Sequence, residues 1–328
     1  MTIVVTGAAG FIGYHVSEAL LARGERVIGI DNVNAYYDTG LKEARLSRLA
    51  RQNGFTFHRI DITDRDAIRE AFAADSDITF VIHLAAQAGV RYSIDNPYAY
   101  VQSNLMGQVV LLEAAKALPA LRHFVYASSS SVYGLNDEVP FSETDRTDRP
   151  ISLYAATKKS CEAITHAYSH LFRLPTTGLR FFTVYGPWGR PDMAYFIFAE
   201  AILNGRPIEV FNNGDMRRDF TYIDDIVAGI LAVADRPPAD RGPDKPPYRV
   251  YNLGNNRTET LGRFIDVLEE ALGRRAERAM KPMQPGDVTE TFADITASRR
   301  DFGYDPKTPI DQGLRRFADW YRSFHGAN

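Results

Sequence analysis

The chain has 328 residues, of which 45% are hydrophobic and 12% aromatic, so it can bury a large core, and disorder is excluded. Lys and Arg number 38 against 41 Asp and Glu, a formal charge of −3, which favours a small polar ligand over nucleic acid or an anionic membrane. The single cysteine, Cys161, forms no internal disulfide, and no apolar run reaches the roughly 18 residues of a membrane span, so we expect a cytoplasmic protein. We expect no metal.

Short β-branched runs alternate with helical patterns through the first half of the chain. The predicted strands are residues 2–6, 26–30, 56–60, 79–84, 123–128 and 176–181. Between them apolar residues recur at helical spacing, as at Val16, Leu20 and Leu21. This alternation predicts an α/β fold of the Rossmann type, with a doubly wound parallel sheet.

The pattern changes after about residue 186, where Pro and Gly interrupt the chain. We therefore predict a first domain over residues 1–185 and a smaller C-terminal α/β domain over 186–218 and 255–328. Residues 248–254 have the pattern of a strand, so the chain is expected to return to the first domain over about 219–254.

The segment TGAAGFIG places Gly7, Gly10 and Gly13 between the first strand and the first helix. Glycines there permit a tight turn, close approach to a pyrophosphate and close helix–strand packing. The spacing is GxxGxxG rather than the usual GxGxxG. Asp31 ends the second strand, where an acid can hold a ribose diol and repel a 2′-phosphate, which predicts NAD over NADP. The alternative for Asp31 is a simple loop acid.

Further residues at the carboxyl ends of the strands are expected to line the same crevice. The cofactor-binding residues predicted in addition to the glycines and Asp31 are Phe11, Ile12, Asn32, Asp61, Ile62, Leu84, Ala85, Ala86 and Phe181.

Tyr154 and Lys158 stand four residues apart at the start of a helical pattern, which puts both side chains on one helical face. A phenol has an ordinary pKa of about 10, so it acts as a base near neutral pH only if nearby positive charge favours the phenolate. An ammonium and an oxidised nicotinamide supply that charge. With Ser129 binding the same hydroxyl, these residues form a set that removes a proton from an alcohol while hydride leaves to NAD. A surface tyrosine beside a lysine is the alternative.

The chain resembles the extended short-chain dehydrogenase/reductase family and, within it, the nucleotide-sugar epimerases, most closely the UDP-glucuronate 4-epimerases. The motifs of this resemblance run over nearly the whole chain. They are TGAAGFIG, HLAAQAGVRYSIDNP, ASSSSVYG, SLYAATKK, LRFFTVYGPWGRPDMA, RRDFTYIDD and MQPGD.

The resemblance implies further roles. Asn104 matches a cofactor-pocket asparagine, and Arg218 matches the arginine that clamps the diphosphate, with a solvated loop arginine as the alternative. Asp287 is expected to hold the uridine ribose, and Phe211 to flank the uracil. Gln284 stands where galactose-type relatives often have an arginine. The family also implies a homodimer, built on helices around 98–118 and 152–173.

The segment ASSSSVYG has Ser130 and Ser131 where dehydratases of the family typically carry an Asp-Glu pair. Hydroxyls cannot do that proton work, so a 4-keto intermediate should be reduced again without further chemistry. Together with Thr183 they are expected to donate to a sugar carboxylate, unless they only satisfy local backbone groups. Arg190 and Arg91 are further candidates for closing over the charged sugar, or else salt-bridged loop anchors.

The resemblance therefore implies NAD-dependent 4-epimerisation of UDP-glucuronate to UDP-galacturonate through a transient 4-keto sugar. The first domain is then the NAD-binding domain and the second the UDP-sugar-binding domain. Two alternatives stay open: a 4-epimerase of UDP-galactose or its N-acetyl analogue, and a non-catalytic NAD-binding regulator.

Overall fold

The computed structural model describes residues 1–284 and 286–326. Pro285, the proline of the MQPGD motif, and the last two residues of the predicted segment 255–328 lie outside the described residues.

The strands belong to one large sheet and several two-stranded ones. In chain order they are β1 (Thr2–Thr6), β2 (Arg26–Asp31), β3 (Phe55–Arg59), β4 (Ile78–His83), β5 (His123–Ser129), β6 (Thr176–Phe181), β7 (Thr183–Tyr185), β8 (Ile208–Val210), β9 (Arg217–Arg218), β10 (Phe220–Tyr222), β11 (Tyr248–Leu253), β12 (Glu259–Thr260) and β13 (Arg278–Met280).

Helices connect and cover these strands. In chain order they are α1 (Phe11–Ala22), α2 (Thr39–Leu49), α3 (Arg65–Ala73), α4 (Tyr92–Asp95), α5 (Pro97–Tyr100), α6 (Gly107–Ala115), α7 (Leu153–Phe172), α8 (Ala194–Leu203), α9 (Ile223–Ala234), α10 (Leu261–Leu272), α11 (Thr296–Phe302) and α12 (Ile310–His325). A π-helical turn, Val101–Met106, joins α5 to α6, and Ser130–Tyr133 form a 3₁₀ turn after β5.

The large sheet has seven parallel strands in the spatial order β3-β2-β1-β4-β5-β6-β11. The order reverses between β1 and β4, which is the arrangement of a doubly wound sheet. The predicted fold class is therefore confirmed, and the six strands predicted up to residue 181 occur within one residue of their predicted starts.

The strand predicted over 248–254 is β11, which pairs in parallel with β6, from Tyr248 opposite Thr176 to Leu253 opposite Phe181. The chain thus adds an edge strand to the large sheet after a long excursion. The boundaries of the two domains remain a prediction.

Both faces of the large sheet are buried, as its continuous apolar strands require. Along β1, Ile3 and Val5 belong to one hydrophobic core, while Val4 belongs to the core on the opposite face. The first core continues into the C-terminal helices through residues such as Phe264 and Phe317. One continuous apolar core thus joins the large sheet to the later segments.

One predicted helix differs from the structure. The pattern over 98–118 predicts a single helix, whereas the chain forms α5, the π-helical turn and then α6, which ends at Ala115. Asn104 lies within the π turn, and its carbonyl oxygen accepts a hydrogen bond from the Cys161 thiol of α7 at 3.3 Å. The Asn104 side chain also forms hydrogen bonds with Gln87 and Thr157, so tertiary contacts accompany the π-helical turn. Within the described part of the chain, no helix combines the length and the apolar character needed to span a membrane.

Candidate active site

A cleft opens at the carboxyl ends of the central strands, at the point between β1 and β4 where the strand order reverses. Most of the predicted cofactor residues and the catalytic candidates meet there. Those that line the cleft are Gly7, Gly10, Phe11, Ile12, Gly13, Asp31, Asn32, Asp61, Ile62, Leu84, Ala85, Ala86, Ser129, Tyr154, Lys158, Phe181 and Arg190.

In the cofactor loop, residues 7–13, two positions have room only for glycine. Gly7 has φ +73°, and a Cβ there would lie 2.8 Å from the backbone nitrogen of Ala85. A Cβ on Gly13 would overlap the carbonyl oxygen of Gly7. The loop therefore leaves an open cradle at the start of α1, where the helix dipole favours an anion such as a dinucleotide pyrophosphate.

Asp31 lies beside this loop at the end of β2. Its carboxylate accepts hydrogen bonds from the backbone N–H of Ala9 at 3.1 Å and of Val33 at 2.8 Å. Burial raises the pKa of Asp31, while these N–H groups and the ammonium of Lys42 oppose that shift. The acid is thus fixed at the cleft wall, where an adenosine ribose diol could donate to it.

Sequence reasoning missed Lys42, which also lines this end of the cleft. Its ammonium donates to the backbone carbonyl and the side-chain oxygen of Asn34, each at 2.7 Å. It lies 4.5 Å from the centre of the Tyr37 ring, within cation–π range. Lys42 belongs to no recognised motif. It is a buried residue of α2, and its place in the cleft follows from the packing of that helix.

Tyr154 and Lys158 start α7, whose N-cap Ser152 accepts a hydrogen bond from Ala155 N–H at 3.1 Å. Lys158 is buried, and its Nζ donates to the carbonyl oxygen of Ala127 at 2.9 Å. Tyr154 is half-buried and meets Tyr100 edge-to-face, with ring centroids 6.1 Å apart. Both side chains line the cleft, as their spacing predicts.

Ser129 ends β5 on the same side of the cleft. Its hydroxyl donates to Ser131 Oγ at 3.1 Å and accepts from the Ser131 backbone N–H at 3.2 Å, so it caps the following 3₁₀ turn. The local backbone contact at this turn is thus made by the Ser129 hydroxyl, and the choice between a sugar carboxylate and local backbone groups for Ser130, Ser131 and Thr183 stays open. Ser130, Ser131 and Thr183 lie beside the cleft-lining residues along the chain but are not themselves part of the lining.

Asn104, the expected cofactor-pocket asparagine, lies next to the cleft wall and is hydrogen-bonded to it. Its side chain is buried, with the amide oxygen accepting from Gln87 N–H at 2.8 Å and the amide nitrogen donating to Gln87 O and Thr157 Oγ1. Asn104 is not among the residues that line the cleft, and its expected role in the cofactor pocket stays a prediction. The neighbouring Gln87 does line the cleft.

A buried polar network lies beneath the catalytic candidates. Glu162, one turn after Lys158 on α7, accepts hydrogen bonds from Ser128 at 2.7 Å and from Arg180 at 2.8 and 2.9 Å. Arg180 also donates to the Tyr133 hydroxyl at 3.1 Å. Although burial favours the neutral acid, these donors hold the pKa of Glu162 below its usual range. No role for Glu162 is predicted from the sequence, although Glu162 follows Lys158 by four residues, as Lys158 follows Tyr154.

Arg190 lines the cleft and is paired with Asp192, its Nε donating to Asp192 Oδ1 at 3.0 Å. The Tyr36 hydroxyl donates to the same carboxylate at 3.0 Å. Burial alone would raise the pKa of Asp192, but Arg190 and Tyr36 hold it below its usual range. Asp192 was missed, although its place two residues after Arg190 in GRPD is a signal.

The residues predicted for the uridine diphosphate end, Phe211, Arg218 and Asp287, form a second cluster with Arg91, which is predicted to close over the charged sugar or to anchor a loop by a salt bridge. Arg91 pairs with Asp287 at 3.3 Å and lies 5.0 Å from the centre of the Phe211 ring. Arg218 donates to the carbonyl oxygens of Val288 at 2.6 Å and Thr289 at 3.0 Å. The structure thus brings the four predicted residues to one place, although none of them lines the cofactor cleft.

Metal ligands do not cluster in the part of the chain that the structure describes: no group of three or more His, Cys, Asp or Glu is placed to hold an ion.

Comparison with known proteins gives a consistent result. The NAD dependent epimerase/dehydratase family matches residues 3–254. UDP-glucuronate 4-epimerase 1 of Arabidopsis thaliana is 50% identical over 337 residues, covering 100% of this chain and 78% of the relative. The probable UDP-glucuronate 4-epimerase of Rhizobium meliloti strain 1021 is 48% identical over 333 residues, covering 98% of this chain and 97% of the relative.

A solved structure is also similar over its full length. The crystal structure of UDP-glucuronic acid 4-epimerase from Bacillus cereus, in complex with UDP-glucuronic acid and NAD, matches with a TM-score of 0.90 and 35% identity. The match covers 99% of this chain and 100% of that one.

Proposed function

This chain belongs to the NAD dependent epimerase/dehydratase family, and on that premise we propose that it is an NAD-dependent 4-epimerase that converts UDP-glucuronate to UDP-galacturonate. The observation that carries the proposal is the meeting of Tyr154 and Lys158 with the cofactor loop and Asp31 in one cleft.

The residues of the cleft fit NAD. The glycine cradle at the start of α1 accepts a pyrophosphate, and Asp31 accepts hydrogen bonds from a ribose diol but repels a 2′-phosphate. When bound there, NAD supplies a reversible hydride acceptor for C4 of the sugar.

Tyr154 takes the proton of the sugar 4-hydroxyl and later returns it. Lys158 lies one helical turn further along α7, so its buried ammonium supplies positive charge beside the reacting groups. Ser129 orients the same hydroxyl through its Oγ. The 4-keto sugar turns over about its diphosphate, so the hydride returns to the opposite face and C4 changes its configuration. Because the proton and the hydride are both restored, no net oxidation follows.

The uronate preference rests on the groups near the sugar end of the cleft. Arg190, which lines the cleft, offers a guanidinium. Ser130, Ser131 and Thr183 adjoin cleft-lining residues along the chain and offer short hydroxyl donors. A 4-keto uronate is a β-keto acid, which loses CO2 when its carboxylate aligns with the carbonyl π system. A site that holds the carboxylate out of that alignment preserves the sugar for reduction.

The diphosphate and uridine fit the second cluster. We assign the diphosphate to Arg218, the uridine ribose to Asp287 and the uracil to the neighbourhood of Phe211, with Arg91 between the two ends. The proximity of Arg91, Phe211, Arg218 and Asp287 to one another supports this assignment.

The experiment is to incubate purified protein with a panel of UDP-sugars and to resolve the products by NMR. We expect UDP-glucuronate and UDP-galacturonate to interconvert, with turnover of UDP-galactose much slower. Accumulation of UDP-pentose with CO2, or equal rates on the neutral sugar, would contradict the proposal.

We also propose that the protein is a homodimer formed through the outer faces of α5, α6 and α7. Those faces expose large apolar side chains, with Tyr98 83%, Leu171 67% and Phe172 49% exposed. Sedimentation at micromolar concentration tests this, and a monomer would contradict it. The cytoplasmic location stays a prediction.

A further inference from the structure

Arg45 is the largest fully buried side chain, and it does not line the cleft. It projects from α2 and has no solvent exposure. Among the described residues no carboxylate lies within ion-pair distance of its guanidinium. A buried cation without an acid partner is costly, so its hydrogen-bond partners require an explanation.

Those partners come from two functional loops. Arg45 Nη1 donates to the carbonyl oxygen of Ala9 at 2.8 Å, within the cofactor loop, and to the Tyr37 hydroxyl at 2.8 Å. Arg45 Nη2 donates to the carbonyl oxygens of Trp188 at 2.6 Å and Gly189 at 3.0 Å. A single guanidinium therefore bridges the cofactor loop and the segment that leads directly into Arg190.

The second segment, residues 187–190, has an unusual backbone that needs such support. Trp188 has φ +58°, which a residue with a bulky side chain rarely adopts. The His15 ring contacts the Pro187 carbonyl oxygen at 3.0 Å, and Arg190 N–H donates to the Tyr195 hydroxyl at 3.1 Å. With the two bonds from Arg45, each residue of this segment is held by a side chain.

The cofactor loop is held in the same way. Asp31 accepts from the N–H of Ala9, while Arg45 donates to its carbonyl oxygen, so one residue of the loop is fixed from both sides. Only a planar fork presents donors in these directions at once; a lysine ammonium on its flexible stem cannot reproduce the fork.

We propose that Arg45 is a positioning residue that locks the cofactor loop and the Arg190 segment into one arrangement, and thereby holds the substrate carboxylate still while the sugar is a ketone. The inference rests on the proposed function. It predicts that weakening the hydrogen bonds of Arg45 changes which product the 4-keto intermediate gives, as well as the rate of turnover.

The diagnostic side reaction is decarboxylation. The bond between C5 and the carboxylate carbon breaks, CO2 leaves, and the electron pair forms the enolate of the 4-ketone, which a solvent proton then quenches at C5. Because that ketone is not reduced again, one NADH remains for each CO2 released. Product partition therefore reports on how firmly the carboxylate is held.

The test compares Arg45→Lys with the wild type and with Arg51→Lys, an exposed arginine just beyond α2. We expect Arg45→Lys to raise the ratio of UDP-4-keto-pentose to UDP-galacturonate about tenfold, and to raise the KM for UDP-glucuronate by a similar factor. NADH absorbance and NMR measure the ratio. We expect NAD to dissociate faster from Arg45→Lys, measured without sugar, and Arg51→Lys to match the wild type in all three readouts.

An unchanged product ratio and an unchanged NAD dissociation rate in folded Arg45→Lys would overturn the proposal, even if the variant melts earlier. If Arg45→Lys does not fold, Tyr37→Phe removes one of the hydrogen bonds to the guanidinium and should shift the ratio in the same direction; an unchanged ratio there would also overturn it. If the wild type does not turn over UDP-glucuronate, the proposed function fails, while NAD dissociation still tests Arg45.

Discussion

Glu162 and Arg180 form a two-pronged ion pair inside the protein, with N–O distances of 2.8 and 2.9 Å and side-chain exposures of only 3% and 4%. The pair lies one helical turn beyond Lys158 and also receives the Ser128 hydroxyl. It therefore fixes the catalytic helix α7 against the ends of β5 and β6. Lys159 also reaches Glu162, at 3.4 Å, whereas Glu162 is the one carboxylate paired with Arg180 among the described residues, so removing Glu162 leaves a buried guanidinium uncompensated.

We predict that Glu162→Gln lowers the free energy of unfolding by about 3–5 kcal/mol, because Arg180 loses its counter-charge in a buried place. Urea denaturation measures the loss. Glu113→Gln is the matched control, since Glu113 pairs with Lys116 on the surface, and we expect it to cost less than about 1 kcal/mol. The same small cost for Glu162→Gln would show that the buried pair does not hold α7.

The pH dependence of that loss has a defined sign. The folded protein holds the pKa of Glu162 below its usual range, so the stabilisation is present above the unfolded value of about 4.3 and is lost as pH falls through the folded pKa. The difference in unfolding free energy between wild type and Glu162→Gln should therefore shrink below about pH 4. A difference that grows on acidification would contradict the assignment.

Tyr154→Phe should lower kcat at least about 100-fold, because the phenol is the proposed acid–base group. The variant keeps the ring that packs against Tyr100, so we expect an unchanged melting temperature and unchanged NAD binding. Tyr251→Phe is the control, since Tyr251 lies on β11 outside the cleft and donates to Asp301 at 2.8 Å, and it should retain full activity. Wild-type turnover by Tyr154→Phe would favour the non-catalytic NAD-binding alternative.

Asp31→Asn should weaken NAD binding by about 10- to 100-fold, since the amide cannot accept from two backbone N–H groups and a ribose diol as a carboxylate does. The preference for NAD over NADP should fall at the same time, because the repulsion of a 2′-phosphate is lost. Equilibrium titration of both dinucleotides measures this. Asp77→Asn, at an exposed acid, is the control, and an unaltered preference in Asp31→Asn would refute the role.

Asp219 gives a stability prediction of the opposite sign. Its buried carboxyl accepts from the backbone N–H groups of Asn255, Asn256 and Ala293, yet burial raises its pKa to about 6. Because the folded pKa is raised, Asp219 stabilises the folded state fully only below the unfolded pKa of about 3.9. This stabilisation, about 3 kcal/mol in total, is lost as pH rises through the folded pKa of about 6. Wild type should therefore lose more stability than Asp219→Asn between pH 4 and 7 in urea titrations. Parallel curves would contradict this.

The sequence predicts most of the sheet because its strands are short β-branched runs whose pattern is local. It also predicts the meeting of Asp31, Ser129 and Tyr154, since parallel strands bring their carboxyl ends to one edge. The hydrogen bonds of Asn104 to Gln87 and Thr157 could not be predicted in this way, because resemblance assigns a residue to a pocket without showing which partners its polar atoms have.

What the sequence could not predict depends on pairs far apart along the chain. Arg45 meets carbonyl oxygens 36 and 143 residues away, and main-chain acceptors leave no mark in a sequence. Nothing about a helical arginine after a tyrosine-rich loop indicates that it is buried. Glu162 and Arg180 are separated by 18 residues in the sequence, and their ion pair likewise depends on the packing of α7 across β6.

The late strand β11 has a consequence for biosynthesis. Until residues 248–253 leave the ribosome, β6 has no neighbour on its outer side, and its backbone groups there stay unpaired. A nascent chain that already contains the whole nucleotide cleft is therefore still open to pairing with another chain at that edge. Translation must pass residue 253 before the protein's own backbone closes this edge.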